Sequence, residues 1–340
     1  MFEIINNITK FVYNFKHNPS LMLTQDTLLK FLKRRSAISI STLEREAKLP
    51  KNTLSGVIGG SRNLNEKHLL DLYPVVTKYG FNQEAFEKAR VISIINHKGG
   101  VGKTTTTAYL GEALALRGFK VLLIDVDPQG SLSEVLNIKV GQTQVFHSLL
   151  NLEVPLAIQK VQKNLDIAPS DIELSSAEKE LSNKIGGELR LKVAISKISK
   201  NYDFILIDCP PSLNILTITA MQASNSCLIT TLPEQLAYKG LVVLLERISE
   251  VRALLNPSLA LDGIVFTMVK NNSIHREYKE LIRQQFSNLK VFNTEIKHLI
   301  DFQKAMVEQL TISAFSENSE AASSYQKLGE EYLQSLNKQN

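Results

Sequence analysis

Between residues 98 and 107 the chain reads KGGVGKTTTT, a concentration of glycine, lysine and hydroxyl side chains suited to holding a polyphosphate. Gly99, Gly100 and Gly102 have no Cβ to stop backbone N–H groups turning inward. A helix beginning near Lys103 aims its positive dipole end at the same point. Lys103 is placed to reach β- and γ-phosphates, and the Thr104 hydroxyl to take a position on Mg²⁺. The preceding residues, Val91 to Ile95, are apolar apart from Ser93. The order is therefore strand, phosphate loop, helix.

Carboxylates recur at the ends of two more apolar runs. VLLID closes on Asp125 and is followed by Asp127 in DVDPQG; FILID closes on Asp208 and is followed by CPPS. An aspartate at the carboxyl end of a parallel strand lies at the sheet edge where doubly wound folds bind ligands. Asp208 has the Walker B position, holding the Mg²⁺ shell through water.

The phosphate loop departs from G-x-x-x-x-G-K-[ST]: His97 occupies the first glycine position, and a second lysine, Lys98, follows it. KGGVGKTT resembles the deviant Walker A motif of the ParA/MinD family of partition and positioning ATPases, and DVDPQG and DCPPS are similar to that family's other motifs. The resemblance covers the chain from about Val91 to the end. It implies ATP and Mg²⁺ as cofactors, with Lys98, Gly99, Gly100, Val101, Gly102, Lys103, Thr104 and Thr105 as the nucleotide-binding set. It implies Lys98, Lys103 and Asp127 as the catalytic residues, Lys98 crossing a dimer interface to the other subunit's nucleotide and Asp127 positioning the attacking water. Thr104 and Asp208 would serve the metal, with Asp125 supporting it indirectly.

At the level of the whole molecule, the resemblance implies an ATP-dependent homodimer that binds DNA and is released by slow hydrolysis. A centromere-binding ParB-type partner would stimulate that hydrolysis, and the protein would be cytoplasmic and nucleoid-associated. Two other readings share parts of this evidence: a transcriptional repressor switched by ATP, and a MinD-like positioner of a protein assembly.

These motifs need a frame. The expected fold is α/β, a doubly wound, mostly parallel sheet of the P-loop NTPase kind over 91–340, preceded by a small all-α helix-turn-helix domain over 1–90. After the loop helix, which Gly118 stops, strands are expected at 120–125, 165–168, 204–208, 226–232 and 261–269. Long helices are expected at 236–255 and 320–336, the latter with Tyr325, Leu328, Tyr332 and Leu336 on one stripe. Residues 131–200 carry no recognisable chemistry. In ParA relatives, arginines after the 261–269 strand, and in a loop after a further strand, bind DNA. Here Lys270 and Arg276 stand near the first position, and Asp301 replaces the arginine at the second, leaving Lys297, His298 and Lys304 as substitutes.

With 44% hydrophobic and 21% charged residues, the 340-residue chain has the composition of a soluble two-domain protein. No apolar run approaches membrane length, and the opening residues, interrupted by Glu, Asn and Lys, read as unlike a secretory leader. Cys209 and Cys227 lack metal-ligand spacing and read as buried thiols. Residues 1–90 hold 14 Lys+Arg and 8 Asp+Glu, whereas the rest holds 25 and 26. The basic excess is N-terminal, which fits an acidic partner or a solvated basic face. There, Phe2, Ile5, Ile8, Val12 and Phe15 suggest an opening helix. Ser39 or Ser41 can cap a helix through Ala47, a turn follows, and Thr53 to Ile58 forms a second helix, with Leu43, Ala47, Leu54 and Ile58 buried between them. The pattern resembles phage-repressor-type helix-turn-helix domains. The resemblance implies Lys51, Asn52, Thr53 and Ser55 facing the major groove and Arg62 and Lys67 holding phosphates.

Overall fold

A computed structural model of the chain describes residues 23–35 and 38–336; the expected opening helix and the terminal Asn-Lys-Gln-Asn lie outside them. The chain divides into two compact units, one running up to Lys88 with the residues from Ser335 on, the other from Ala89 to Gln334.

The first unit is helical: α1 (Gln25–Arg34), α2 (Ile40–Glu46), α3 (Thr53–Ile58), α4 (Glu66–Lys78) and α5 (Gln83–Glu87). Thr24 and Ser39 cap α1 and α2. Asn52, the residue before α3, has φ of +63° and no side-chain cap bond. Its place is taken by Glu44, whose carboxylate accepts the Asn52 and Leu54 N–H groups at 3.1 and 2.7 Å, satisfying donors a helix start leaves open. Leu43, Ala47 and Leu54 are buried as their spacing suggests, but Ile58 is 51% exposed and Val57 fills the core instead. A six-residue helix is too short for its spacing alone to decide which of two adjacent apolar residues turns inward.

In the second unit, β1 (Arg90–Ile95) leads through the phosphate loop to α6 (Lys103–Leu116) and β2 (Val121–Asp125). Next come α7 (Ser131–Val135), α8 (Val145–Leu150), β3 (Gln159–Gln162), β4 (Leu165–Ala168), α9 (Leu174–Asn183), α10 (Arg190–Ser196) and β5 (Phe204–Asp208). The chain continues with α11 (Ile215–Ala223), β6 (Ser226–Thr231), α12 (Gln235–Leu254), β7 (Ala260–Phe266), α13 (Ser273–Gln285), α14 (Ile300–Val307), α15 (Ile312–Ser316) and α16 (Glu320–Leu336). The sheet order is β3-β4-β2-β5-β1-β6-β7, parallel except for the β3–β4 pair.

Strands buried on both faces are mostly apolar; β2, β5 and β6 are buried at every position, although β6 also buries the polar Ser226, Thr230 and Thr231. β3 was not expected. Its sequence QKVQ is polar and only half-buried, as an edge strand can be. The further strand expected after β7 is replaced by two isolated bridges, Ile264 to Val291 and Val269 to Lys297. Both cysteines are buried free thiols. No helix among the described residues is long and apolar enough to cross a membrane.

The winding reverses at β1, which pairs with β5 on one side and β6 on the other. This opens a crevice at the carboxyl ends of the central strands. At the opposite ends a polar knot ties α16 to the sheet. Asp262 accepts bonds from Arg90 at 2.7 Å and from the Ser226 and Tyr332 hydroxyls at 2.6 Å each. Asp262→Ala is expected to cost about 3–5 kcal/mol, because it strands a mostly buried guanidinium without its counter-charge. Urea denaturation of the variant measures this, and a loss below about 1 kcal/mol would contradict it.

Candidate functional site

The phosphate loop is shaped by partners far away in sequence. Asn96 donates to the Thr230 carbonyl at 2.7 Å and accepts the Lys98 N–H at 3.0 Å, so the end of β1 is tied to β6 before the loop turns. Thr267, just past β7 and 1% exposed, donates to the Val101 carbonyl at 2.8 Å. Its Cβ would lie 3.3 Å from a Cβ at position 102, where φ is +73°; both space and backbone therefore require glycine there. His97, in place of the usual glycine, fits because a Cβ on Gly240 of α12 would come within 2.1 Å of its ring.

The two lysines occupy different environments. Lys103 is 7% exposed and donates to the Lys98 carbonyl at 3.0 Å. Burial lowers its pKa, and the nearby Asp208, Cys209 and Asp127 oppose that shift. The Lys98 ammonium is about one-third exposed and stands 3.6 Å from the Glu234 carboxylate of the same chain. Within one subunit, then, Lys98 has a local counter-charge. Glu234 also approaches the His275 ring at 3.8 Å.

The threonine run divides its work. Thr104 is half-buried at the loop and near enough to Asp208 to favour its charged form. Thr105 faces a neighbouring cleft, and Thr106 pairs with the Tyr325 hydroxyl at 3.1 Å. Thr107 donates to the Lys103 carbonyl at 3.0 Å and lies 3.3 Å from Asp208 Oδ1. Asp208 is fully buried, and its Oδ2 has no hydrogen-bond partner. Burial and then the charge of Asp125 push its pKa well up, a cost that a cation nearby would relieve.

Asp125 is committed elsewhere: Oδ1 accepts the Asp127 N–H at 3.1 Å, while Oδ2 accepts the Ser133 N–H and hydroxyl at 3.2 and 3.1 Å. Both of its oxygens are thus spent on the turn it holds, and any support it gave a metal would be indirect. Asp127 is 7% exposed and accepts the Gln129 N–H at 3.0 Å. Among the described residues no group of three or more His, Cys, Asp or Glu makes a ready metal cage. Hydroxyl and carboxylate oxygens, one of them orphaned, suit Mg²⁺, which keeps its waters and completes its shell with phosphates.

Beside the loop a cleft of about 190 Å³ is lined by Gly102, Thr105, Met268, Leu299, Phe302 and Tyr325, among others. Tyr109, Phe302 and Tyr325 form a three-ring cluster with centroids 5.6–5.7 Å apart. Met268 holds φ of +49°, an unusual conformation for a bulky side chain.

The candidate DNA-binding residues do not form one group. In the first unit Lys51, Asn52, Ser55, Arg62 and Lys67 are exposed, but Thr53 is fully buried. Its hydroxyl donates to the Pro50 carbonyl at 2.7 Å and accepts from Arg62 at 3.2 Å, so Thr53 braces the turn instead of facing a groove. In the second unit Lys270, Arg276, Lys297 and Lys304 are exposed. Lys297 is ion-paired with Glu320.

Sequence reasoning missed Asn96, Thr107, Glu234 and Thr267. For Thr107 the i, i+4 spacing from Lys103 offered a signal; the others become neighbours only through the strand order.

A family model described as an AAA domain matches residues 89–261. The chromosome-partitioning ATPase Soj of Treponema pallidum is 38% identical over 247 residues, 72% of this chain and 97% of that protein. The chromosome partitioning protein ParA of Caulobacter vibrioides is 38% identical over 253 residues, 72% and 94% of the two chains. Among solved structures, cobyrinic acid a,c-diamide synthase from Mycobacterium smegmatis, with bound ADP and magnesium, has a TM-score of 0.63 at 30% identity, covering 71% of this chain and 93% of that one. On the strength of these likenesses, the chain belongs to the ParA/Soj family of partition ATPases.

Proposed function

We propose that the protein is an ATP-dependent dimerising partition ATPase: it binds DNA as an ATP-bound dimer, lets go on hydrolysis, and so segregates plasmid or chromosome DNA with a centromere-binding ParB-type partner. Lys103 and the loop N–H groups bind the β- and γ-phosphates, and Thr104 with Asp208 places Mg²⁺, whose chemistry is to neutralise phosphate charge. The adenine enters the cleft beside Thr105. Asp127 holds the attacking water.

The observation that carries the reading is the contrast between the lysines. Lys103 is enclosed, whereas Lys98 stands beside a carboxylate that is, like its own ammonium, about one-third exposed, a partly exposed ion pair of small net worth that a phosphate from a second subunit can replace. Dimerisation brings together the basic residues near α13, Lys270 and Arg276. The first unit, with Lys51, Asn52 and Ser55 exposed around α3, serves as a helix-turn-helix operator reader. That feature equally supports an ATP-switched repressor.

The test is light scattering of the wild type and Lys98→Ala with ATP and Mg²⁺. The wild type is expected to dimerise; the variant should bind ATP yet stay monomeric. Dimers of Lys98→Ala at wild-type ATP concentrations would refute the trans role. DNA retention by the wild type, measured at two salt concentrations, should fall by orders of magnitude as salt rises.

A further inference from the structure

Residues 131–200, silent on sequence grounds, deliver one side chain to the catalytic turn. β4 lies parallel to β2 with Ala168 opposite Ile124, so the chain leaving β4 emerges beside the chain leaving β2. Ser170 is fully buried there. Its hydroxyl donates to the Asp127 carbonyl at 2.9 Å, and its N–H donates to the Ser133 hydroxyl at 3.3 Å. That hydroxyl lies 3.1 Å from Asp125 Oδ2 and 3.3 Å from the Ser170 carbonyl. The same carbonyl would be 2.8 Å from a Cβ on Gly130, whose φ is +65° and whose N–H donates to the Asp127 carbonyl at 2.9 Å. Ser170 thus meets the turn at Asp127, Gly130 and Ser133.

We propose that Ser170 is a positioning residue for hydrolysis: it fixes the Asp125–Ser133 turn so that the Asp127 carboxylate stays where the attacking water is held. The proposal rests on the water-holding role of Asp127. Neither end of Ser170 touches the phosphate loop, so its effect falls on the rate of the chemical step and not on nucleotide affinity. A small displacement of a catalytic group is enough for a large rate effect.

The experiment is a double-mutant cycle on the full chain, with kcat and KM for Mg-ATP measured for wild type, Ser170→Ala, Asp127→Ala and the double variant. Ser170→Ala is expected to lower kcat about tenfold with KM within about twofold, and to add nothing on the Asp127→Ala background. An unchanged kcat, a rise in KM matching the fall in kcat, or the same tenfold loss without Asp127 would each overturn it. If Asp127→Ala alone leaves kcat intact, the role of Asp127 has failed and the proposal falls with it, an outcome distinct from failure of Ser170 alone. Should Ser170→Ala not fold, Ser133→Ala decides instead: it removes the hydroxyl linking Ser170 to Asp125, and an unchanged kcat there counts against the proposal.

Discussion

Lys103→Ala is expected to abolish ATP hydrolysis, lowering kcat by about a thousandfold or more and weakening ATP binding as well. Lys103 is the loop cation whose burial is nearly complete, and Asp125, Asp127 and Asp208 are buried close by. Charges act more strongly in such surroundings than in water. With the ammonium gone, a triphosphate would enter a site dominated by carboxylates, with Mg²⁺ as the main remaining counter-charge. Lys103→Arg is not expected to rescue the rate, because a planar guanidinium cannot occupy the place of a compact ammonium bonded to the Lys98 carbonyl. Phosphate release and ATP titration check both variants. Hydrolysis by Lys103→Ala within about tenfold of wild type would mean that Lys103 does not carry the transferred charge.

The parts of this site that were legible in the sequence are those encoded by neighbours along the chain. β1, the loop and α6 are contiguous, and the runs VLLID and FILID identify buried parallel strands because such strands tolerate little but apolar residues. What was not legible depends on which strands become adjacent. Thr267 reaches Val101 from 166 positions away, and Ser170 reaches Asp127 from 43 away. Thr53 reads as a groove-facing residue because it starts a helix, yet the same position lets its hydroxyl close the turn on Pro50. β3 was invisible because an edge strand need not be apolar, and the Lys98–Glu234 pair because it joins two loops at the ends of different strands.

Asp127→Ala is expected to separate binding from chemistry. The carboxylate belongs to the turn after β2, not to the phosphate loop. One of its oxygens accepts the Gln129 N–H, and its backbone N–H rests on Asp125. Removing it takes no donor away from a bound triphosphate, so ATP affinity should stay within a few-fold of wild type, on the order of 1 kcal/mol. Hydrolysis should fall by about 10²- to 10⁴-fold, the range for losing a group that orients or deprotonates the attacking nucleophile. If hydrolysis is what opens the dimer, the variant loaded with Mg-ATP should remain dimeric and hold DNA long after the wild type has released it. Light scattering measures the first consequence and a DNA-release time course the second. A variant that stays monomeric with ATP bound would break the link between nucleotide and dimer. One that dimerises but releases DNA at the wild-type rate would place the switch in some step other than cleavage of the γ-phosphate.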